Sequence, residues 1–253
     1  MSQVIFIGAG PGDPELLTVK AYEKIRQAEV ILYAGSLVNP AVFQHCPEEA
    51  EVASSASMDL EEMTDFMVQR VKEGKEVLRL HTGDPSLYGA IAEQIRRLEI
   101  EKVAYQVIPG ISSFLAGAAA MKKELTLPGK SQTVIISRVA GRTPVPEKEN
   151  LKSLAAHQAS LVLFLSVGQV KQVVEDCLTA YAPETPVAIA YRVGWPDQRI
   201  LRGSLQNLSE MMEEAGIRKT ALIYIGDFLQ AEGDESLLYD AAFTHEYREG
   251  KSS

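Results

Sequence analysis

Near the N-terminus a strand-like run leads directly into a glycine-rich turn, Val4-Ile5-Phe6-Ile7-Gly8-Ala9-Gly10-Pro11-Gly12-Asp13-Pro14. The apolar residues in a row predict a buried strand. The glycines let the backbone turn sharply and approach a ligand closely. The spacing differs from the dinucleotide fingerprint, because Asp13 stands where the last glycine would fall. Asp13 suits a helix N-cap and would repel a pyrophosphate, so the turn favours a nucleotide-like ligand without one.

A second turn of the same kind follows another apolar run, Val77-Leu78-Arg79-Leu80-His81-Thr82-Gly83-Asp84-Pro85. Two such turns in one half of a small protein favour a bound small molecule over a mere change of chain direction. Asp84 has two interpretations at this stage. It faces a cation or ribose hydroxyl groups, or it is the N-cap ahead of Ser86-Leu87-Tyr88, and both roles are compatible.

The hydrophobic pattern predicts an α/β protein of two α/β domains, residues 1–115 and 116–253. Strands are predicted at 4–8, 30–33, 76–80 and 105–108, and then at 133–137, 161–165, 187–191, 200–203 and 221–225. Helices are predicted at 14–28, 60–71, 88–98, 116–121, 149–157, 168–180 and 205–215, with Asp59 as one N-cap. This alternation favours mostly parallel sheets. The residues from about 231 onward are polar and are predicted to pack on the surface or on a partner.

Composition limits the function classes. The 253 residues are 46% hydrophobic, enough for a proper core, and no stretch approaches the roughly 20 apolar residues of a membrane span. No signal peptide is predicted, and Cys46 and Cys177 are far apart, which favours reduced thiols in the cytoplasm and gives a metal or redox site no support. The net charge of −9 disfavours nucleic acid as a partner, although a local basic patch can still hold a small anion.

Ligands of open α/β sheets bind beyond the carboxyl ends of the strands. Small or polar residues follow several predicted strands here, at 8–12, 83–85, 109–113 and 165–166. A site lined mainly by backbone suits an uncharged base joined to an amino-acid moiety.

Seven segments spread over nearly the whole chain carry a resemblance to a known family. They are Gly-Ala-Gly-Pro-Gly-Asp-Pro at 8–14, Leu-Tyr-Ala-Gly-Ser-Leu-Val at 32–38, His-Thr-Gly-Asp-Pro-Ser-Leu-Tyr-Gly at 81–89, Val-Ile-Pro-Gly-Ile-Ser-Ser at 107–113, Gly-Arg-Thr-Pro-Val-Pro at 141–146, Trp-Pro-Asp at 195–197 and Gly-Ile-Arg-Lys-Thr-Ala-Leu at 216–222. With these segments the chain resembles the tetrapyrrole methylase family. Within it, the chain is most similar to the enzymes that methylate C11 of precorrin-4 or of its cobalt form in cobalamin biosynthesis.

The resemblance implies a homodimeric, two-domain methyltransferase of the class III type that binds S-adenosyl-L-methionine in a cleft between the domains. Carried over by position, the implied cofactor contacts are Pro11, Gly83, Asp84, Pro85, Tyr88, Ser112, Ser113, Leu165, Tyr191, Val193, Thr220 and Ala221. Many relatives carry glycine at the position of Val193, and a backbone contact there would survive that change.

The resemblance also implies an in-line attack by a ring carbon on the sulfonium methyl group. The leaving group departs neutral, so no metal is needed, and the protein's main task is alignment. The tetrapyrrole substrate carries carboxylates, which guanidinium groups bind well; Arg142, Arg138 and Arg192 are the candidates. His81 is a further candidate contact, and the sequence names no catalytic base. Trp195 stacks on the substrate or fills a domain interface.

Other functions stay open at this point. A methyltransferase of the same fold can act on another tetrapyrrole, on ribosomal RNA or on a protein side chain, although the acidic charge disfavours RNA. A nicotinamide dehydrogenase is disfavoured by Asp13. A non-catalytic binding module is the third alternative. Whether the substrate already holds cobalt is not decided by the sequence.

Overall fold

The computed structural model describes residues 2–141, 143–230 and 232–250, which form two five-stranded sheets and the helices packed on them. The chain divides into two units. The first consists of Met1–Ala116 and Arg192–Gln198, and the second of Gly117–Tyr191 and Arg199–Ser253. The sequence did not predict the return of residues 192–198 to the first unit.

The first sheet is entirely parallel, in the order β3-β2-β4-β1-β5. Its strands are β1 (Val4–Gly8), β2 (Val30–Tyr33), β3 (Glu51–Ser54), β4 (Val77–His81) and β5 (Tyr105–Ile108). The helices of this part of the chain are α1 (Val19–Ile25), α2 (Leu60–Lys72), α3 (Ile91–Ile100) and α4 (Ser113–Met121).

Both faces of the first sheet are buried along its central strands β1, β2 and β4, as is usual for parallel sheets. Ile5 and Ile7 of β1 pack into one apolar cluster with α1, and Val4 and Phe6 pack into another with α2 and α3. This burial explains why β1 is a continuous apolar run in the sequence. The predicted N-cap of α2 is confirmed, because Asp59 forms a capping box with Glu62.

The second sheet is mixed, in the order β6-β7-β10-β8-β9. Its strands are β6 (Val134–Arg138), β7 (Ser160–Phe164), β8 (Pro186–Tyr191), β9 (Arg199–Ser204) and β10 (Ala221–Ile225). Its helices are α5 (Leu151–Ala155), α6 (Val170–Cys177) and α7 (Leu208–Glu214). Only β6 and β7 pair in parallel, so the expectation of mostly parallel strands is wrong for this sheet. The physical reason is that β8 reaches β9 through a short connection without the helical crossover that parallel neighbours need.

Two further differences from the prediction concern local structure. The segment predicted as one helix from 14 to 28 is a short 3-10 helix, Pro14–Leu16, followed by α1. Strand β3 was not predicted, because its sequence Glu-Val-Ala-Ser has no apolar run and lies at the sheet edge. Within the described ranges, no helix combines the length and the apolar character that crossing a bilayer requires.

Candidate active site

The two glycine-rich turns meet at the carboxyl edge of the first sheet. The N–H of Gly83 donates to the carbonyl of Gly10 at 2.8 Å, and the N–H of Gly10 donates to the carbonyl of Gly83 at 3.3 Å. The N–H of Ala9 donates to the carbonyl of His81 at 2.8 Å. Because β1 and β4 are parallel neighbours, the loops that follow them leave the sheet side by side.

A third turn, after β5, packs against the first two backbone to backbone. A Cβ added to Gly8 would lie 2.5 Å from the Cα of Gly110, closer than real side chains approach. Gly83 has a φ of +66°, and a Cβ there would point at the backbone of Ser112 and Ser113, 3.6 Å away. Glycine is required here for conformation and for close approach.

Asp84 holds two of these turns together. Its Oδ1 accepts from the N–H of Ser86 at 2.8 Å, and its Oδ2 accepts from the N–H of Gly110 at 2.9 Å. Asp84 thus caps a turn and not a helix, because α3 begins only at Ile91, so its predicted role as a helix N-cap is wrong. Each carboxylate oxygen has a second lone pair, so a ribose hydroxyl remains compatible with this arrangement.

The loop 192–198 covers the first turn. A Cβ added to Gly12 would lie 2.5 Å from Nε1 of Trp195, so the indole packs directly on that glycine. The guanidinium of Arg192 stacks 4.0 Å from the indole centroid, and its Nε donates to Asp197 at 2.8 Å. Trp195 therefore packs on a turn of its own unit, and Arg192 is a fixed, partly buried group.

Four more of the expected cofactor contacts lie at one end of the second sheet. Tyr191 ends β8 and pairs with Ala221, the first residue of β10. Thr220 directly precedes β10, and Leu165 directly follows β7, the antiparallel neighbour of β10. The sheet register therefore places these four residues together at one end.

Strained backbone marks several of the expected contacts. Eight non-glycine residues of the described chain have a positive φ. Lys102, Lys122 and Gln158 lie within three residues of the C-terminal ends of α3, α4 and α5, where left-handed residues often end helices. The other five are Tyr88, Ala90, Leu165, Arg192 and Thr220. Strain of this kind clusters at functional sites.

Two of the residues with a strained backbone also have exposed side chains. Leu165 is 65% exposed and Tyr88 is 45% exposed, although both are large apolar side chains. A large exposed side chain on a strained backbone is consistent with a ligand-binding role.

The three expected substrate contacts, Arg138, Arg142 and His81, do not share one environment. Arg138 donates to the carbonyls of Thr143 at 3.1 Å and Pro144 at 2.6 Å, so it holds the loop that follows β6. Arg142 lies outside the described residues. His81 is only 4% exposed, and burial together with the nearby charge of Arg79 lowers its pKa to about 3. Its imidazole is therefore neutral and has little surface to offer a substrate.

No metal centre is found in the described part of the chain: no three His, Cys, Asp or Glu side chains converge there. Cys46 and Cys177 are free thiols. Burial raises the pKa of Cys177 to about 12, with a smaller contribution from Asp176, so this thiol is unreactive at neutral pH.

The side chains beneath the second turn were not among the predicted functional residues. Arg79 and Gln94 are buried and bonded to each other there. The available signal was a charged residue in the middle of the apolar run of β4.

Comparison with known proteins gives a consistent result. The family of Tetrapyrrole (Corrin/Porphyrin) Methylases matches residues 3–209. A cobalt-precorrin-4 C(11)-methyltransferase of Methanocaldococcus jannaschii is 50% identical over 248 residues, 97% of this chain and 96% of that protein. A precorrin-4 C(11)-methyltransferase of Pseudomonas aeruginosa is 46% identical over 249 residues, 98% of this chain and 99% of that protein.

Solved structures agree in fold. The X-ray structure of a cobalt precorrin-4 methyltransferase matches with a TM-score of 0.88 and 46% identity, covering 90% of this chain and 96% of that one. A uroporphyrin-III C-methyltransferase from Thermus thermophilus, complexed with S-adenosylhomocysteine, matches with a TM-score of 0.77 and 27% identity, covering 90% and 94%. With a family match over most of its length and relatives this similar across both chains, the protein belongs to the tetrapyrrole (corrin/porphyrin) methylase family.

Proposed function

We propose that this protein transfers a methyl group from S-adenosyl-L-methionine to C11 of precorrin-4 or cobalt-precorrin-4, a step of cobalamin biosynthesis. The observation that carries the proposal is identity of 46% to 50% with proteins of that name over nearly the full length of both chains. Relatives named for the cobalt form and for the metal-free form are about equally similar. Identity alone therefore does not choose between the two substrates.

The residues of the chain fit the proposed cofactor. The glycines of these turns let the backbone approach a ligand closely, and Asp84 retains acceptor capacity for a ribose. Asp13 disfavours a dinucleotide, because its carboxylate caps the following turn by accepting from the N–H of Glu15. The proposed contacts are Pro11, Gly83, Asp84, Pro85, Tyr88, Ser112, Ser113 and Val193 in the first unit, and Leu165, Tyr191, Thr220 and Ala221 in the second.

The chemistry supplied by the bound cofactor is an electrophilic methyl group on a positively charged sulfur. The contribution of the protein is to fix orientation and to exclude water. The turns at the edge of the first sheet are suited to this task, because their backbones are locked together by hydrogen bonds and glycine contacts. His81 is not proposed as a base, since burial and a pKa of about 3 make it a weak one.

The direct test is to incubate the protein with S-adenosylmethionine and each of three substrates, precorrin-4, cobalt-precorrin-4 and uroporphyrinogen III. Mass spectrometry then follows the gain of one methyl group. The proposal expects transfer to one or both precorrin-4 forms and localisation of the new methyl group to C11 by NMR. Transfer only to uroporphyrinogen III would assign the chain to another branch of the family. Transfer to none of them, by protein that binds S-adenosylhomocysteine, would overturn the proposal.

We also propose that cationic side chains capture the carboxylates of the substrate. Arg192 is held by Asp197 through its Nε and by stacking on Trp195, which leaves its terminal nitrogens as donors for a planar anion. Arg138 and Arg142 are proposed to act from the loop after β6. Arg138 supports this loop through the carbonyls of Thr143 and Pro144.

A homodimer is the proposed assembly. The described part of the tail is folded on itself, because Arg248 donates to the carbonyls of Leu238 and Phe243. Nevertheless Leu238, Tyr239, Phe243 and Tyr247 are exposed there. A second copy would cover such an apolar surface, and twofold dimers are the commonest closed assembly. Light scattering at micromolar concentration should give the dimer mass, and a monomer mass would reject this assembly.

The proposed location is the cytoplasm. The free thiols Cys46 and Cys177 support it, because unpaired cysteines are typical of a reducing compartment.

A further inference from the structure

A buried charged group lies beneath the proposed cofactor turn. Arg79, in the middle of β4, is 3% exposed and lies on the face of the sheet that packs against α2 and α3. Its Nε donates to Oε1 of Gln94 at 3.1 Å, and its Nη1 donates to the carbonyl of Leu32 at 3.4 Å. Among the ion pairs of the described chain, none involves Arg79.

Packing alone does not explain this side chain. Burial lowers the pKa of Arg79 to about 10, which reflects the cost of keeping a charge away from water. An apolar residue of similar length would fill the same space without that cost, and replacements of buried charged groups by apolar ones are often neutral or stabilising. A buried charge retained at such a cost, next to a proposed site, calls for a functional explanation.

Gln94 connects Arg79 to the far end of the turn. It is 2% exposed, and its Nε2 donates to the carbonyl of Ala90 at 3.1 Å. Ala90 has a φ of +51° and precedes α3 without any side-chain cap of its own. The Gln94 amide therefore accepts from Arg79 on one side and holds the carbonyl of a strained residue on the other.

The segment from Gly83 to Ala90 is strained and tightly folded. Tyr88 and Ala90 both have left-handed backbones, and neither is a glycine. Gly89 lies so close to the backbone of Pro85 that an added Cβ would overlap the Pro85 carbonyl. Such a conformation persists only when its surroundings enforce it. Asp84 fixes the start of the segment through its two hydrogen bonds. The hydrogen bond from the Gln94 amide to the Ala90 carbonyl fixes its end.

We infer that Arg79 and Gln94 are a pair of positioning residues, which hold Ala90 and thereby keep the segment 83–90 in the conformation that binds the cofactor. This inference rests on the proposed function, because it assigns the segment to the cofactor. The pair acts through the backbone and does not itself contact a ligand.

The main test replaces both side chains at once, with Arg79→Met/Gln94→Met. The double variant should unfold in urea at the same or a higher concentration than the parent, since no buried polar group of the pair is left without its partner. Its Kd for S-adenosylhomocysteine, measured by calorimetry, should nevertheless rise roughly three- to tenfold. Peptides covering residues 85–91 should exchange their amide hydrogens faster in the absence of ligand. A purely structural pair would not move stability and binding in opposite directions.

A second variant separates the two bonds of Gln94. Gln94→Glu keeps an acceptor for Arg79 but cannot donate to the Ala90 carbonyl when ionised. It should weaken S-adenosylhomocysteine binding by a similar factor and speed exchange in the same peptides. Gln69→Glu, at an exposed position of α2, makes the same charge change and should match the parent.

The outcomes distinguish the inference from the proposed function. Parental binding and parental exchange in either folded variant would overturn the inference. A parent protein that binds no S-adenosylhomocysteine would overturn the proposed function instead, and exchange of the segment in the variants would still decide whether the pair holds it.

Discussion

Gly83 combines a left-handed backbone with two hydrogen bonds to Gly10, so it is the residue at which the two turns are joined. A β-branched side chain is strained in that conformation and would extend toward Ser112 and Ser113. We expect Gly83→Val to remain folded and to weaken S-adenosylhomocysteine binding by roughly tenfold or more, as measured by calorimetry.

The matched control is Gly74→Val. Gly74 also has a left-handed backbone, with a φ of +90°, but an added Cβ meets nothing within 4 Å. This variant carries comparable strain away from the proposed site. If both variants lost binding to the same degree, general destabilisation would explain the result, and the turn would lose its assignment.

The burial of His81 leads to a second prediction, which concerns how the stability of the protein depends on pH. Its folded pKa of about 3, lowered by burial and then by Arg79, lies below the ordinary value for histidine. As the pH falls below the ordinary pKa of histidine, His81 binds a proton in the unfolded chain but not in the folded chain. The folded state therefore becomes less stable. Between about pH 7.5 and about pH 5, the free energy of unfolding should fall by about 2 kcal/mol more in the parent than in His81→Gln.

Urea unfolding at the two pH values measures this difference and cancels the contribution of the carboxylates, which both proteins share. His157→Gln, which replaces an exposed histidine, is the matched control for the loss of one imidazole. An identical pH response of His81→Gln and the parent would show that the His81 imidazole is hydrated in the folded protein.

At the scale of elements, the loop 192–198 and the turn after β1 behave as one packed unit. Gly12→Ala should destabilise the protein, because the new Cβ would meet the ring of Trp195. In a Trp195→Ala background the same substitution should cost less, giving a coupling of about 1 kcal/mol or more in a double-mutant cycle. Additive effects, measured by urea unfolding, would mean that the ring moves away from Gly12 in solution.

The elements differ in how far the sequence predicts them. Strands β1, β2 and β4 follow from apolar runs, because burial on both faces demands them. Strand β5 was predicted as well, although it lies at the sheet edge and is partly exposed. Strand β3 has no such pattern, and the direction of β8, β9 and β10 is not encoded in their own composition. Pairing direction depends on which strands meet across the sheet, and no local pattern carries that information.

The candidate active site, too, could be predicted from the sequence only in part. The turns at Gly10 and Gly83 are visible in the sequence because glycine is required at fixed positions. The bond between Arg79 and Gln94 joins residues on a strand and a helix, and the loop that covers Gly12 comes from nearly two hundred residues later. Such contacts depend on tertiary packing, which local patterns do not specify.

At the scale of the whole molecule, the net charge of −9 opposes a substrate that carries several carboxylates. Local cations must overcome this repulsion. We expect Arg142→Ala to lower kcat/KM roughly ten- to a hundredfold, the loss of one charge-assisted contact, while leaving S-adenosylhomocysteine affinity unchanged.

Kinetics at two salt concentrations should show a smaller defect at high salt, because salt screens an exposed contact. Arg96→Ala removes the same charge from an exposed position of α3 and separates this local effect from the change in net charge. Equal defects in the two variants would assign the effect to overall charge, and parental kinetics of Arg142→Ala would place the anion site elsewhere.

The return of residues 192–198 to the first unit has a consequence for biosynthesis on the ribosome. The first 116 residues contain the whole parallel sheet, yet Gly12 receives its covering indole only when Trp195 has left the exit tunnel. By then at least eight of the ten strands that the structure describes, β1 to β8, have been synthesised. The turn that opens the chain is therefore among the last parts of its own unit to be completed. A nascent chain that stalls before this loop exposes that turn to chaperones and proteases.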